Sequence, residues 1–206
     1  MNFKIGFIAA GIVAASMASA TQTIKFLTTD GGASVDIRYN GNTTSVFAGK
    51  LKFQDMTSNV LFNTVCGDLD NHISFGQTYN VNKQLAASVS TTMGAAGNIV
   101  AKYFNQATTN TEKAALQLAV WEAIYDYNGA GTPNFNAGNF RIVSASNSIK
   151  TKAAEFYSAV TITGAAIYFK PDPLNAGQGQ LGPVPEPATM AVLGLGVAAL
   201  LRKRRK

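Results

Sequence analysis

The pattern of apolar residues predicts an α+β fold: a β-rich part with a packed helical part, followed by a Pro/Gly linker and a short C-terminal hydrophobic helix. Three observations carry this. Residues 21–81 are rich in alternating β-branched and aromatic positions broken by turn signals. Residues 95–160 switch to apolar positions three and four apart. Beyond residue 170, Pro171, Pro173, Pro183, Pro185 and Pro187 fall among Gly and Asn, the composition of an extended tether.

Strands are predicted at 23–28 and 33–39. Asn40-Gly41 follows, a two-residue hairpin signal because both residues tolerate positive φ. Further strands are predicted at 43–53, at 59–66 with Cys66 at its end, and at 77–81. A helix over 95–106 is marked by Ile99, Val100, Tyr103 and Phe104. Thr109 and Glu112 have the spacing of a capping box, in which each side chain satisfies a backbone N–H left free by the first turn. The helix they open runs to about residue 128, and Gly129 is a natural stop. A third helix over 148–160 is amphipathic through Ile149, Ala153, Phe156 and Tyr157, and 165–169 closes as a strand. Residues 21–170 thus form one domain, 171–183 a linker, and 184–206 a sorting and anchor segment. The domain is long enough to bury a core of its own.

Both ends read as addresses. Lys4, the apolar run 5–15 and the small residues Ala18-Ser19-Ala20 make residues 1–20 a secretory signal peptide. At the other end, Val184-Pro185-Glu186-Pro187 precedes an apolar stretch over 188–201 and the basic cluster Arg202-Lys203-Arg204-Arg205-Lys206. The stretch is short for a full span, which takes about 20 residues, and its basic end fits the cytoplasmic side. These ends also explain the charge. Of 17 Lys+Arg, one is Lys4 and five are in the terminal cluster, which leaves 11 against 11 Asp+Glu. The net charge of +6 belongs to the addressing segments and gives no argument for nucleic-acid binding.

The Pro185-Glu186-Pro187 triplet, the short apolar stretch and the basic cluster together resemble the PEP-CTERM sorting signal of Gram-negative bacteria. The resemblance implies processing near that triplet by an exosortase-type membrane transpeptidase. It also implies transient anchoring in the inner membrane and delivery to the cell surface or an extracellular matrix.

Cys66 is the only cysteine, so it cannot form an internal disulfide: it is buried and inert, paired with another molecule, or reactive. On the second helix, Ala114, Gln117, Val120, Trp121, Ile124 and Tyr125 share one face, and Gln117 is its one polar member. Such an amide either bonds to a neighbouring strand backbone or takes part in chemistry. Leu116-Gln117-Leu118-Ala119-Val120-Trp121, downstream of a strand-end cysteine, resembles the thioester domains of bacterial surface adhesins. Val65 stands where those domains have an aromatic residue or Leu, and Asp68 supplies the acid that follows the cysteine.

The resemblance implies a Cys66–Gln117 thioester shielded by Trp121. Its partner would be a surface or matrix protein or a polysaccharide bearing an amine or hydroxyl. The protein would react once, without turnover, so no enzyme activity and no cofactor are expected. The alternative is a noncovalent structural protein of the exopolysaccharide or biofilm matrix with an inert, buried Cys66. His72, the only histidine, lies six residues past the cysteine; a cysteine hydrolase would need such a base, but nearness in sequence is no evidence of pairing in space and no peptidase signature accompanies it. Asp68-Leu69-Asp70-Asn71 lacks the Gly and Glu of a calcium loop and reads as a turn, so no metal is expected.

Overall fold

Asn40 and Gly41 take φ of 47° and 82° and close a tight hairpin, as their residue types require. The computed structural model describes residues 21–129 and 131–184. On either side of the turn, β1 (Thr21–Tyr39) and β2 (Asn42–Asp55) pair antiparallel from Tyr39↔Asn42 to Ile24↔Asp55. The two strands predicted before the turn are therefore one, irregular between Thr29 and Gly32. The Gly31-Gly32 pair does not break the strand. It lets β1 and β2 approach: a Cβ on Gly32 would collide with the Ala48 carbonyl, and one on Gly49 with the Gly31 carbonyl.

The chain continues through β3 (Leu61–Cys66), β4 (Thr78–Leu85), a single turn α1 (Ala86–Val89), α2 (Thr91–Tyr103) and α3 (Asn110–Asp126). After these come β5 (Phe140–Ser144), α4 (Asn147–Tyr157) with a 3-10 turn at Ser158–Thr161, β6 (Ala166–Pro171) and β7 (Gln180–Pro183). The sheet order is β2-β3-β7-β6-β4-β1-β5, and β1 also pairs with β2. That extra pairing closes six antiparallel strands into a ring, with β5 appended to the outer half of β1. Ring closure removes the open edges that a flat sheet would expose. Ile24, Phe26, Phe53, Tyr79, Val81, Ile167 and Phe169 form one apolar core with the half-buried Phe62 packed against it, and stacked rings link Phe53 to Phe62 and Phe62 to Phe169.

A second core lies between the helices and the β1–β2 hairpin. α2 starts earlier than predicted because the Ser90 hydroxyl accepts from the Met93 N–H. The Thr109–Glu112 capping box is present in both directions. α3 is buried on every side from Ala114 to Ala123, flanked by α2 and α4 and laid on β1, β2 and β3. Lys50, itself buried, donates to the Phe104 and Ala107 carbonyls (2.6 and 2.8 Å), which the end of α2 leaves without helical partners.

The expected linker, 171–183, is corrected. Its Pro- and Gly-rich composition conceals β7, which is inserted between β3 and β6 with Val65↔Leu181 and Ile167↔Gly182 as partners. Leu181 and Gln180 are fully buried, so the domain ends only at about Val184. Residues 1–20 and 185–206, which carry the predicted signal peptide, sorting triplet and anchor, lie outside the described residues. Among the described residues no helix is long and apolar enough to cross a membrane.

α3 also buries a carboxyl. Glu122 is 2% exposed; its Oε1 accepts from the Asn134 N–H at 2.7 Å, and its Oε2 is buried without a partner. Burial, with the Asp126 carboxylate adding to it, raises the Glu122 carboxyl to about 7 from 4.5. The folded state therefore holds a proton that the unfolded chain has released between these values, and stability is lost as pH rises through 7. Glu122→Gln is neutral and of the same shape. It is expected to stabilise the fold by about 1–2 kcal/mol at pH 8, after discounting for solvent screening, and to change little at pH 4. Urea unfolding at both pH values measures this.

Candidate functional site

The backbone ladder brings Cys66 to the end of β3, where the strand leaves the ring beside α3. Gln117 reaches it from the helix. Its Oε1 accepts from the Cys66 N–H at 2.7 Å, and its Nε2 donates to the Cys66 carbonyl at 2.8 Å. The carboxamide is thus clamped on the backbone of the cysteine itself. Cys66 is 4% exposed and Gln117 1%. A buried amide with both ends satisfied by a strand also meets the plain structural expectation for a core glutamine. What sets this one apart is that the strand residue is the only cysteine.

Cys66 forms no disulfide. Its S–H donates to the Asp68 carbonyl at 2.9 Å, and the Asp68 N–H donates back to the sulfur at 3.4 Å. Burial pushes the thiol up to about 12, against smaller lowering effects from the Asp68 N–H and the Trp121 side chain. Trp121, one turn beyond Gln117, is 2% exposed and leans on Phe140. Its indole N–H is buried without a partner of good hydrogen-bond geometry, yet it is close enough to the sulfur to favour the thiolate. The three residues singled out in the sequence therefore meet at one place.

Asp68 organises the chain beyond the cysteine. Its Oδ1 accepts from the N–H groups of Asp70 and Asn71, and its Oδ2 from the Asn71 side chain, so the acidic run is an Asx turn. Among the described residues no group of three or more His, Cys, Asp or Glu side chains is placed to hold a metal. The turn is held to α3 by the Leu69 N–H, which donates to the Tyr125 hydroxyl at 2.7 Å. The Tyr39 ring packs on Tyr125 (4.6 Å between centroids), and its hydroxyl donates to Asp70.

Over the pair lies a cavity of about 340 Å³, open to solvent, with Cys66, Gln117 and Trp121 in its wall. His72, Tyr39 and Gln178 line it as well. Sequence reasoning missed Gln178 because it sits in the stretch taken for a linker. It missed Tyr39 because nothing local marks a residue near the hairpin tip as facing the cysteine. The only signals available were the position of Tyr125 on the same helix face as Gln117 and the short distance in sequence from Cys66 to His72.

Residues 183–206 match the family model of the PEP-CTERM protein-sorting motif. The match includes Pro185, Glu186 and Pro187 and overlaps the end of β7. Neither the curated proteins nor the solved structures gave a match to the chain. The motif marks an exported protein that is sorted at the membrane with an exosortase as its processing partner.

Proposed function

We propose that this exported chain, carrying a PEP-CTERM sorting signal, attaches covalently to a surface or matrix partner through a Cys66–Gln117 thioester. The observation that carries the reading is the Gln117 carboxamide seated on the Cys66 backbone, buried, beneath a cavity that opens to solvent. The Cys66 sulfur leaves its Asp68 partner and attacks the Gln117 amide carbon. The C–N bond breaks, and the amide nitrogen departs as ammonia with the thiol proton. The Cys66 N–H already points at the oxygen that becomes negative in the tetrahedral intermediate, so it acts as a fixed oxyanion donor.

The acyl thioester then waits for an amine or a hydroxyl. The nucleophile adds to the same carbon, the C–S bond breaks, and Cys66 is regenerated as the partner becomes an amide or ester of residue 117. Burial at Trp121 limits competing hydrolysis. The raised thiol also supports the other reading, an inert buried cysteine in a noncovalent matrix protein. Intact mass before and after methylamine treatment separates the two.

The sorting signal makes its own prediction. Removing residues 188–206 is expected to convert a membrane-retained precursor into a soluble secreted form, because the described domain offers no membrane-spanning helix. Cell fractionation tests it, and undiminished retention of the truncated chain would place the anchor elsewhere.

A further inference from the structure

The chemistry of the cavity over Cys66 and Gln117 constrains what can enter it. Phe26, Tyr39, Phe47 and Phe75 supply aromatic walls, with Phe75 70% exposed at the mouth and stacked 5.0 Å from Phe26. Thr44, Ser45 and Gln178 supply short neutral polar groups. Among the described residues that line it, none is Asp, Glu, Lys or Arg. The nearby carboxylates stand one layer back, Asp36 accepting from Ser45 and Asp70 from Tyr39. His72 is the one imidazole in the wall.

A lysine side chain arrives as an ammonium. That charge must give up its water on entry, and no carboxylate lines the cavity to pair with it. A sugar suits it better. Its C–H faces pack on rings and its hydroxyls bond to Ser, Thr and amide groups, the mix of apolar walls and a few polar groups that holds neutral ligands. A hydroxyl is a poor nucleophile unless a base takes its proton.

Resting on the thioester reading above, we infer that the cavity admits a saccharide hydroxyl and that His72 is the base that delivers it to the Gln117 acyl carbon. The imidazole accepts the hydroxyl proton as the C–O bond forms, and the C–S bond breaks. The sulfur is buried where its thiol is pushed up to about 12, so it takes a proton on leaving rather than remaining a thiolate. The imidazolium returns that proton, and the products are an ester and the Cys66 thiol with no net proton exchanged. The unpartnered Trp121 N–H faces the sulfur and steadies its charge while the bond breaks.

The other titrating groups at the cavity are Tyr39 from β1 and Cys66 from β3. Burial raises both, with Asp70 adding to the effect on Tyr39. Asp68 beside the sulfur, Asp70 and Asp36 complete the charged surroundings.

The test uses the mature wild-type protein and His72→Gln, each incubated with maltose or with methylamine and followed by intact mass. Both proteins should begin one ammonia light, and both should take up methylamine at the same rate at a pH where the free amine is abundant. Maltose adduct should form on the wild type, and about 100-fold more slowly on His72→Gln. Equal maltose rates in the two proteins would overturn the role of His72. A wild type that takes methylamine but never maltose would overturn the saccharide assignment while leaving the thioester intact. A wild type at its full unlinked mass would overturn the thioester reading itself and this inference with it.

Discussion

The mature protein is expected to weigh one ammonia less than its sequence, and methylamine should restore mass while releasing one thiol. Cys66→Ala should show neither change, because the nucleophile is gone. Gln117→Ala should leave a thiol that reacts slowly with maleimide in the folded state and at once after denaturation, since Cys66 is 4% exposed and its thiol is pushed up to about 12. The same substitution strips the Cys66 N–H and carbonyl of their partners. Each buried group left unpaired costs about 1–3 kcal/mol. That is large beside a total stability of about 5–15 kcal/mol, so Gln117→Ala should fold but melt lower than Cys66→Ala. A wild-type mass equal to the unlinked sequence, with no amine adduct, would leave the inert-cysteine reading standing.

A chain ended after Gly179 is expected not to fold, whereas one ended after Val184 should unfold cooperatively. The five residues between them hold β7. Losing them removes the pairing with both β3 and β6, opens the ring and takes away the fully buried Leu181. The buried Thr64 hydroxyl also loses its acceptor, the Gln180 Oε1 at 2.9 Å. Deleting one buried leucine side chain costs about 2–5 kcal/mol before any unpaired group is counted. With the ladder lost as well, the total is of the same order as the stability of an ordinary domain, about 5–15 kcal/mol. Circular dichroism and urea titration of the two chains decide it. A cooperative transition in the shorter chain would mean that β7 is an ornament on a sheet that stands without it.

Features written in neighbouring residues were legible in the sequence. Asn40-Gly41 closes the hairpin and Thr109-Glu112 caps α3 because the physics involved spans two to four residues. The end of β3 at Cys66 and the shared face of Gln117 and Trp121 follow from period alone, and the fold then brings them together. What escaped depends on distant partners. Gly31-Gly32 reads as a break, yet it marks two strands in close approach. β7 has the composition of a tether and becomes a strand only because β3 and β6 offer unpaired edges on both sides. β5 is five residues long and borrows its register from β1. Glu122 has the look of a solvated helix residue. Its burial is decided by the Asn134 loop folding over it, which nothing in α3 announces.

The place of β7 has a mechanical side. It is the last strand among the described residues, inserted in the ring beside β3, and antiparallel pairing sets Gln180 next to Cys66 while Pro183 points toward the other end of β3. Under the proposed attachment a partner bonded at Gln117 would pull on α3, which lies across β1, β2 and β3, while the chain leaves the domain after β7. The load then enters through a helix and crosses its packing on the sheet before it reaches the β3–β7 ladder. Grip and exit are joined by the core beneath α3, so the strength of that packing would set how much drag the domain can carry.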